Sequence, residues 1–125
     1  MIVWYTLIDE FLANRICRFF FGRKHSFPQL WRTRRFQLFN HHIIEQLSLL
    51  EKHRLVKAIN PLPKGISRDI ETLNNLRNGL AHSFFPENLR SAKPIWKGKD
   101  IFTIEGITLL DADMQAIFQY FWPSE

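Results

Sequence analysis

Cysteine is nearly absent. The chain of 125 residues holds one, Cys17, so an internal disulfide is excluded. A lone cysteine fits a reducing cytosol, where its expected role is that of a small buried hydrophobe. Long apolar runs are also missing. The first 21 residues are rich in apolar side chains, but Asp9, Glu10, Asn14, Arg15 and Arg18 interrupt them too often for a spanning helix. No small-residue cleavage motif follows them, so the expectation is a soluble, cytoplasmic protein without a membrane partner. There is no glycine-rich phosphate loop and no carboxylate pair at a hydrolytic spacing, and Cys17 has no evident partner for nucleophilic catalysis. His41 and His42 are adjacent, about 100° apart on a helix, with no Cys or carboxylate at ligand spacing. The sequence therefore predicts no metal and no cofactor.

What the chain does hold is aromatic and basic. Twelve Phe and four Trp favour a packed globular or oligomeric protein. The length allows one domain over residues 1–125 and is short for two. Seventeen basic against twelve acidic residues leave a net charge of +5, which favours a polyanionic partner such as nucleic acid.

Periodicity reads as helix almost throughout. Trp4, Leu7, Ile8, Phe11, Leu12, Ile16, Phe19 and Phe20 form a wide apolar stripe over Ile2–Phe21, with Gly22 as its stop. Its width implies burial on more than one side. Pro28 opens a short helical turn. Arg32, Arg34 and Arg35, interleaved with Trp31 and Phe36, form the densest basic–aromatic patch. It is either a nucleic-acid contact, with Arg on phosphate and an aromatic ring on a base, or a solvated connector with Trp and Phe as core anchors. A second helix is predicted over Phe36–Ile59, with a bend near Glu51 left open, and Asn60–Gly65 breaks it. Near the C-terminus, Ile95–Thr103 predicts a small β-hairpin turning at Lys97-Gly98-Lys99-Asp100 and ended by Gly106. A last helix capped by Asp111 follows, terminated by Pro123. The fold class is an all-α helical bundle with a small β-hairpin between the last two helices.

The organising stretch is Ser67–Glu87. Ser67 predicts an N-cap, with Asp69 and Glu71 in the first turn, and Pro86 a stop. Ile66, Ile70, Leu73, Leu76, Leu80, Ala81 and Phe84 share one apolar arc, and Arg77 falls near its middle. An arginine there must snorkel out or meet an anion, because an unpaired buried charge costs several kcal/mol, very roughly. Asn74, Asn78 and His82 line the flank at four-residue steps. A fixed cation, an amide and an imidazole thus share one helix, a set suited to phosphodiester chemistry on RNA. RNA supplies its own 2′-hydroxyl nucleophile, histidine exchanges protons near neutral pH, and arginine offers a charged fork to phosphate.

The run Arg77-Asn78-Gly79-Leu80-Ala81-His82 resembles the R-x4-H signature of the HEPN superfamily, in which a polar residue, often Asn, follows the Arg. These are small all-helical domains, many of them metal-independent ribonucleases of toxin–antitoxin and other defence systems. The motif covers six residues, set late in an amphipathic helix of a small basic chain, as the family requires. Several HEPN toxins continue with a tyrosine two residues after the His; here the chain has Ser83 and Phe84, so control through that hydroxyl is not implied. The resemblance implies two motifs facing each other across a homodimer, with Arg77, Asn78 and His82 as catalytic residues, RNA as substrate and a cognate antitoxin as partner. Consistent with a composite site, Arg77 and His82 point about 140° apart, so one helix does not readily focus both on one phosphate. Arg32, Arg34, Arg35, Lys97 and Lys99 are the further candidates for RNA binding. The alternatives are a catalytically inactive HEPN-like module for nucleic-acid or protein binding and dimerisation, and an unrelated helical interaction domain.

Overall fold

Gly22 ends the first helix with φ +72°, its N–H donating to the Arg18 carbonyl, and most of the chain is built from such locally specified helices. A computed structural model describes residues 2–22, 24–83 and 94–122; the side chains of residues 2 and 81–83 lie outside that description. The fold is all-α, as the periodicity predicts, with a two-stranded hairpin between the last two helices. Its helices are α1 (Ile2–Phe21), α2 (Phe27–Leu30), α3 (Arg34–His42), α4 (Leu49–Ile59), α5 (Lys64–Ser83) and α6 (Ile104–Phe121). A 3₁₀ turn, Ile44–Gln46, links α3 to α4, and strands β1 (Ile95–Trp96) and β2 (Lys99–Asp100) pair antiparallel. Among the described residues no helix is long and apolar enough to cross a membrane.

Two compact units divide the chain. One comprises Asp9–Leu62. Its core is Phe11, Leu12, Ile16 and Cys17 of α1 with Leu30, Phe36, Ile44, Leu49 and Val56. Cys17 is the buried hydrophobe expected of it, and burial pushes its thiol up to about 11, so it stays protonated and unreactive at neutral pH. Lys52 is also buried, and its ammonium meets both Asp9 carboxylate oxygens at 2.9 Å. Ser26 caps α2 through a reciprocal box with Gln29, with Pro28 in the first turn as predicted.

The continuous helix expected over Phe36–Ile59 is instead two. Ser48 accepts from the Glu51 N–H while the Glu51 carboxylate accepts from the Ser48 N–H, and this capping box starts α4 afresh. Glu51 thus marks the first turn of a helix and not a bend within one. The same exchange holds its carboxyl below the usual range.

The other unit comprises residues 1–8 and 63–125, in which Ile70, Leu73 and Leu76 of α5 and Leu110, Met114, Ile117 and Phe121 of α6 are buried with Ile8, Trp96 and Ile101. Three boundaries differ from expectation. Helix α5 begins at Lys64, three residues before the predicted Ser67 cap. The Ser67 N–H donates to the Pro63 carbonyl inside the first turn, so Asp69 lies beyond that turn. The hairpin turn is only Lys97-Gly98, with φ of +47° and +84°; both residues are left-handed, as a tight two-residue hairpin demands. Helix α6 starts at Ile104 under a Thr103 cap, so Asp111 lies within it and does not cap it. Gly106, predicted to end the hairpin, is a buried residue of α6. A Cβ there would overlap the Asp100 carbonyl, so glycine lets the helix approach β2.

Hydrogen bonds and ion pairs then tie this unit together. Trp4 Nε1 donates to Asp111 at 2.8 Å, joining α1 to α6. Trp96, fully buried, donates Nε1 to Asp113 at 2.8 Å. Lys97 reaches Asp113 at 2.8 Å and Asp69 at 3.1 Å, so one ammonium joins the hairpin tip to both α5 and α6.

Candidate functional site

The apolar side of α5 decides how its polar residues are presented. Ile70, Leu73 and Leu76 are buried, while Ile66 and Leu80 are half-buried, as the predicted arc requires. Arg77 lies at the angular middle of that arc and nonetheless reaches solvent, which is the snorkelling expected of a long cationic side chain. Its guanidinium carbon stands 5.2 Å from the centre of the Tyr5 ring, within cation–π range. Such a contact at an exposed position is worth about 0.5–1 kcal/mol, enough to bias the side chain without neutralising it. Tyr5 is a residue that sequence reasoning missed. It lies 72 positions away on α1, and no local spacing links the two.

Asn78 is exposed beside Arg77. Asn74, expected on the same polar flank, is instead buried at 7% exposure, so among the described side chains of the flank only Asn78 is open to solvent. The backbone of His82 continues α5 one turn past Asn78, but its side chain lies outside the described residues, as do Phe84 and Pro86. One exposed helical end therefore carries a cation and an amide in adjacent positions, with the backbone of the histidine following in the same helix. A guanidinium with donors facing solvent can hold a phosphate oxygen, and a neighbouring amide can donate or accept beside it.

The remaining candidates fall into two groups. Lys97 is committed inside its unit. The Asp113 hydrogen bond raises its basicity above the ordinary lysine value, partial burial opposes this, and Asp69 adds to the rise. Flanked by two carboxylates, it offers little charge to phosphate. Lys99, with a more exposed side chain, pairs with Glu105 at 3.4 Å. Arg32, Arg34 and Arg35 are exposed in the other unit, around a half-exposed Trp31. Phe36 is a buried anchor there, as the connector reading foresees, whereas Trp31, the other anchor of that reading, is not buried. His41 pairs with Glu45 at 3.1 Å and is exposed, like His42. Among the described residues no group of three or more His, Cys, Asp or Glu is placed to hold a metal ion.

Comparison with known protein families, curated proteins and solved structures returns no match.

Proposed function

We propose that this chain is a metal-independent endoribonuclease of the HEPN type, the cytoplasmic toxin of a toxin–antitoxin or defence system, acting as a homodimer. The observation that carries this reading is the exposure of Arg77 and Asn78 at the C-terminal part of α5, in the order Arg-Asn-x-x-x-His. In the proposed reaction the 2′-hydroxyl of RNA attacks the adjacent phosphorus and the 5′-oxygen leaves. His82 takes up or gives back the proton, Arg77 holds the charge that builds on the phosphoryl oxygens, and Asn78 positions phosphate or imidazole. The products are a 2′,3′-cyclic phosphate and a 5′-hydroxyl. A two-fold partner supplies the second Arg77–His82 motif.

The test is cleavage of a mixed RNA pool in EDTA by wild type, Arg77→Ala and His82→Ala, with mass followed by light scattering. Cutting by a dimeric wild type, at least 100-fold reduced in either folded variant and leaving cyclic-phosphate ends, is expected (roughly the scale of losing general acid–base or charge stabilisation). Activity abolished by the chelator, or undiminished in a folded His82→Ala protein, refutes the mechanism.

A further inference from the structure

The net charge is not spread along the chain. Between Glu10 and Glu45 there is no acidic residue at all, while seven of the seventeen basic residues lie there; the rest of the chain, with ten basic and twelve acidic residues, carries −2. This acid-free segment runs from α1 through α3 and lies wholly within the Asp9–Leu62 unit. Six of its seven cations are arginines. Arg34 and Arg35 occupy the first turn of α3, where the helix dipole disfavours positive charge and no acidic residue offsets it.

The surface is also packed from beneath. Phe36, buried, is met by Phe21 at 5.2 Å, by Phe27 at 6.2 Å and by the edge of Trp31 at 5.1 Å. Thr33 caps α3, and Gln37 Nε2 donates to the Trp31 carbonyl at 2.6 Å. Arg18 is spent on this framework, donating to the His25 carbonyl at 2.7 Å and lying 4.0 Å from the Phe27 ring centre. Trp31 is left 48% exposed, with Lys24, Arg32, Arg34 and Arg35 exposed around it in sequence. Arg35 also lies over the Phe21 ring at 5.7 Å, but no carboxylate pairs with Arg32, Arg34 or Arg35 among the described residues. Exposed arginines next to an accessible indole in sequence match a strand that offers phosphates and unstacked bases.

We propose that the Trp31–Arg35 segment is a docking surface for single-stranded RNA, with the arginines on the phosphates and Trp31 stacked on a base. It rests on the ribonuclease reading only in the choice of RNA over DNA. Phe19, Phe20, Leu38 and Ile43 are also exposed in this unit, but within the segment itself Trp31 is the one exposed apolar side chain among arginines and a threonine, which makes an anionic membrane the less favoured partner.

The test is fluorescence anisotropy with a labelled oligouridylate dodecamer, 2′-O-methylated so that it cannot be cleaved. The R32A/R34A/R35A protein should bind about tenfold or more weakly than wild type. Its salt dependence should be shallower by about two in log K against log salt, at roughly 0.7 per phosphate contact released. Trp31→Ala should lose about fivefold or more, with Trp31→Phe restoring much of it. Circular dichroism verifies that each variant folds. Undiminished binding in the folded triple variant, no binding by wild type, or binding to phosphatidylserine vesicles but not to the oligonucleotide, overturns the proposal. Retained binding with no cleavage of unmodified RNA sinks the ribonuclease reading alone.

Discussion

Two segments of this chain read alike and behave as opposites. Ile95–Lys99 and Trp31–Arg35 each set a tryptophan beside basic residues. In the first, Trp96 is buried and Lys97 is held between Asp69 and Asp113. In the second, Trp31 is half-exposed and its arginines face solvent. The difference lies in the acidic residues that other elements bring close. Helices α5 and α6 deliver a carboxylate each to the hairpin, whereas no acidic residue lies between Glu10 and Glu45. A basic–aromatic string is thus a surface for a partner only where the fold leaves its charge unanswered.

The tryptophans should separate most. Trp96→Ala removes a fully buried indole and orphans an Asp113 hydrogen bond, so a loss of about 3–5 kcal/mol in denaturant unfolding is expected. Trp31→Ala should stay within about 1 kcal/mol, since half of that side chain is already in water. Equal losses would erase the contrast between the two segments.

A smaller effect is expected at Lys97. Lys97→Met leaves Asp69 and Asp113 without their shared cation, at a cost of about 1 kcal/mol, the upper end for an ion pair that stays partly in water. The sign with pH is fixed. The folded protein holds the Lys97 proton more tightly than the unfolded chain, chiefly through the Asp113 hydrogen bond. Its contribution is therefore whole below the ordinary lysine value and disappears as pH climbs through the raised one. The melting difference between wild type and Lys97→Met should accordingly close at strongly alkaline pH. A gap that persists there would assign the loss to packing.

Much of this architecture is local and was legible in the chain. The helix α1, the Gly22 stop, Pro28 in α2 and the apolar arc of α5 follow from spacing and caps alone, whereas Phe19 and Phe20 of the α1 stripe, expected to be buried, are exposed. The Ser48–Glu51 box was legible too, but the seam Phe36, Phe39, Ile43, Leu47, Leu50 hides it by running at helical steps across the break. Gly106 misleads for a different reason. Glycine reads locally as a stop, and here it answers a close approach by Asp100 that only the folded hairpin creates. At the candidate site, Arg77 was legible as a cation that must snorkel or meet an anion and Asn78 as a residue of the polar flank, while the burial of Asn74 and the Tyr5 contact depend on residues far away in sequence.

The smallest effect is the one whose sign is most informative. Arg34 opens α3, where the helix dipole favours negative charge even though Thr33 already caps the Phe36 N–H. Replacing it by glutamate should stabilise the free protein by about 0.3–1 kcal/mol at low salt, read as a rise of a few degrees in melting temperature that fades as salt is added. Most surface substitutions do nothing or harm, so a gain would mean that this cation is kept against the preference of its own helix. Lys97→Glu should move the other way, since a third carboxylate would then join Asp69 and Asp113. If Arg34→Glu instead destabilises the protein, the arginine is answering a charge within the fold, and the Trp31–Arg35 surface loses the feature that sets it apart from the hairpin.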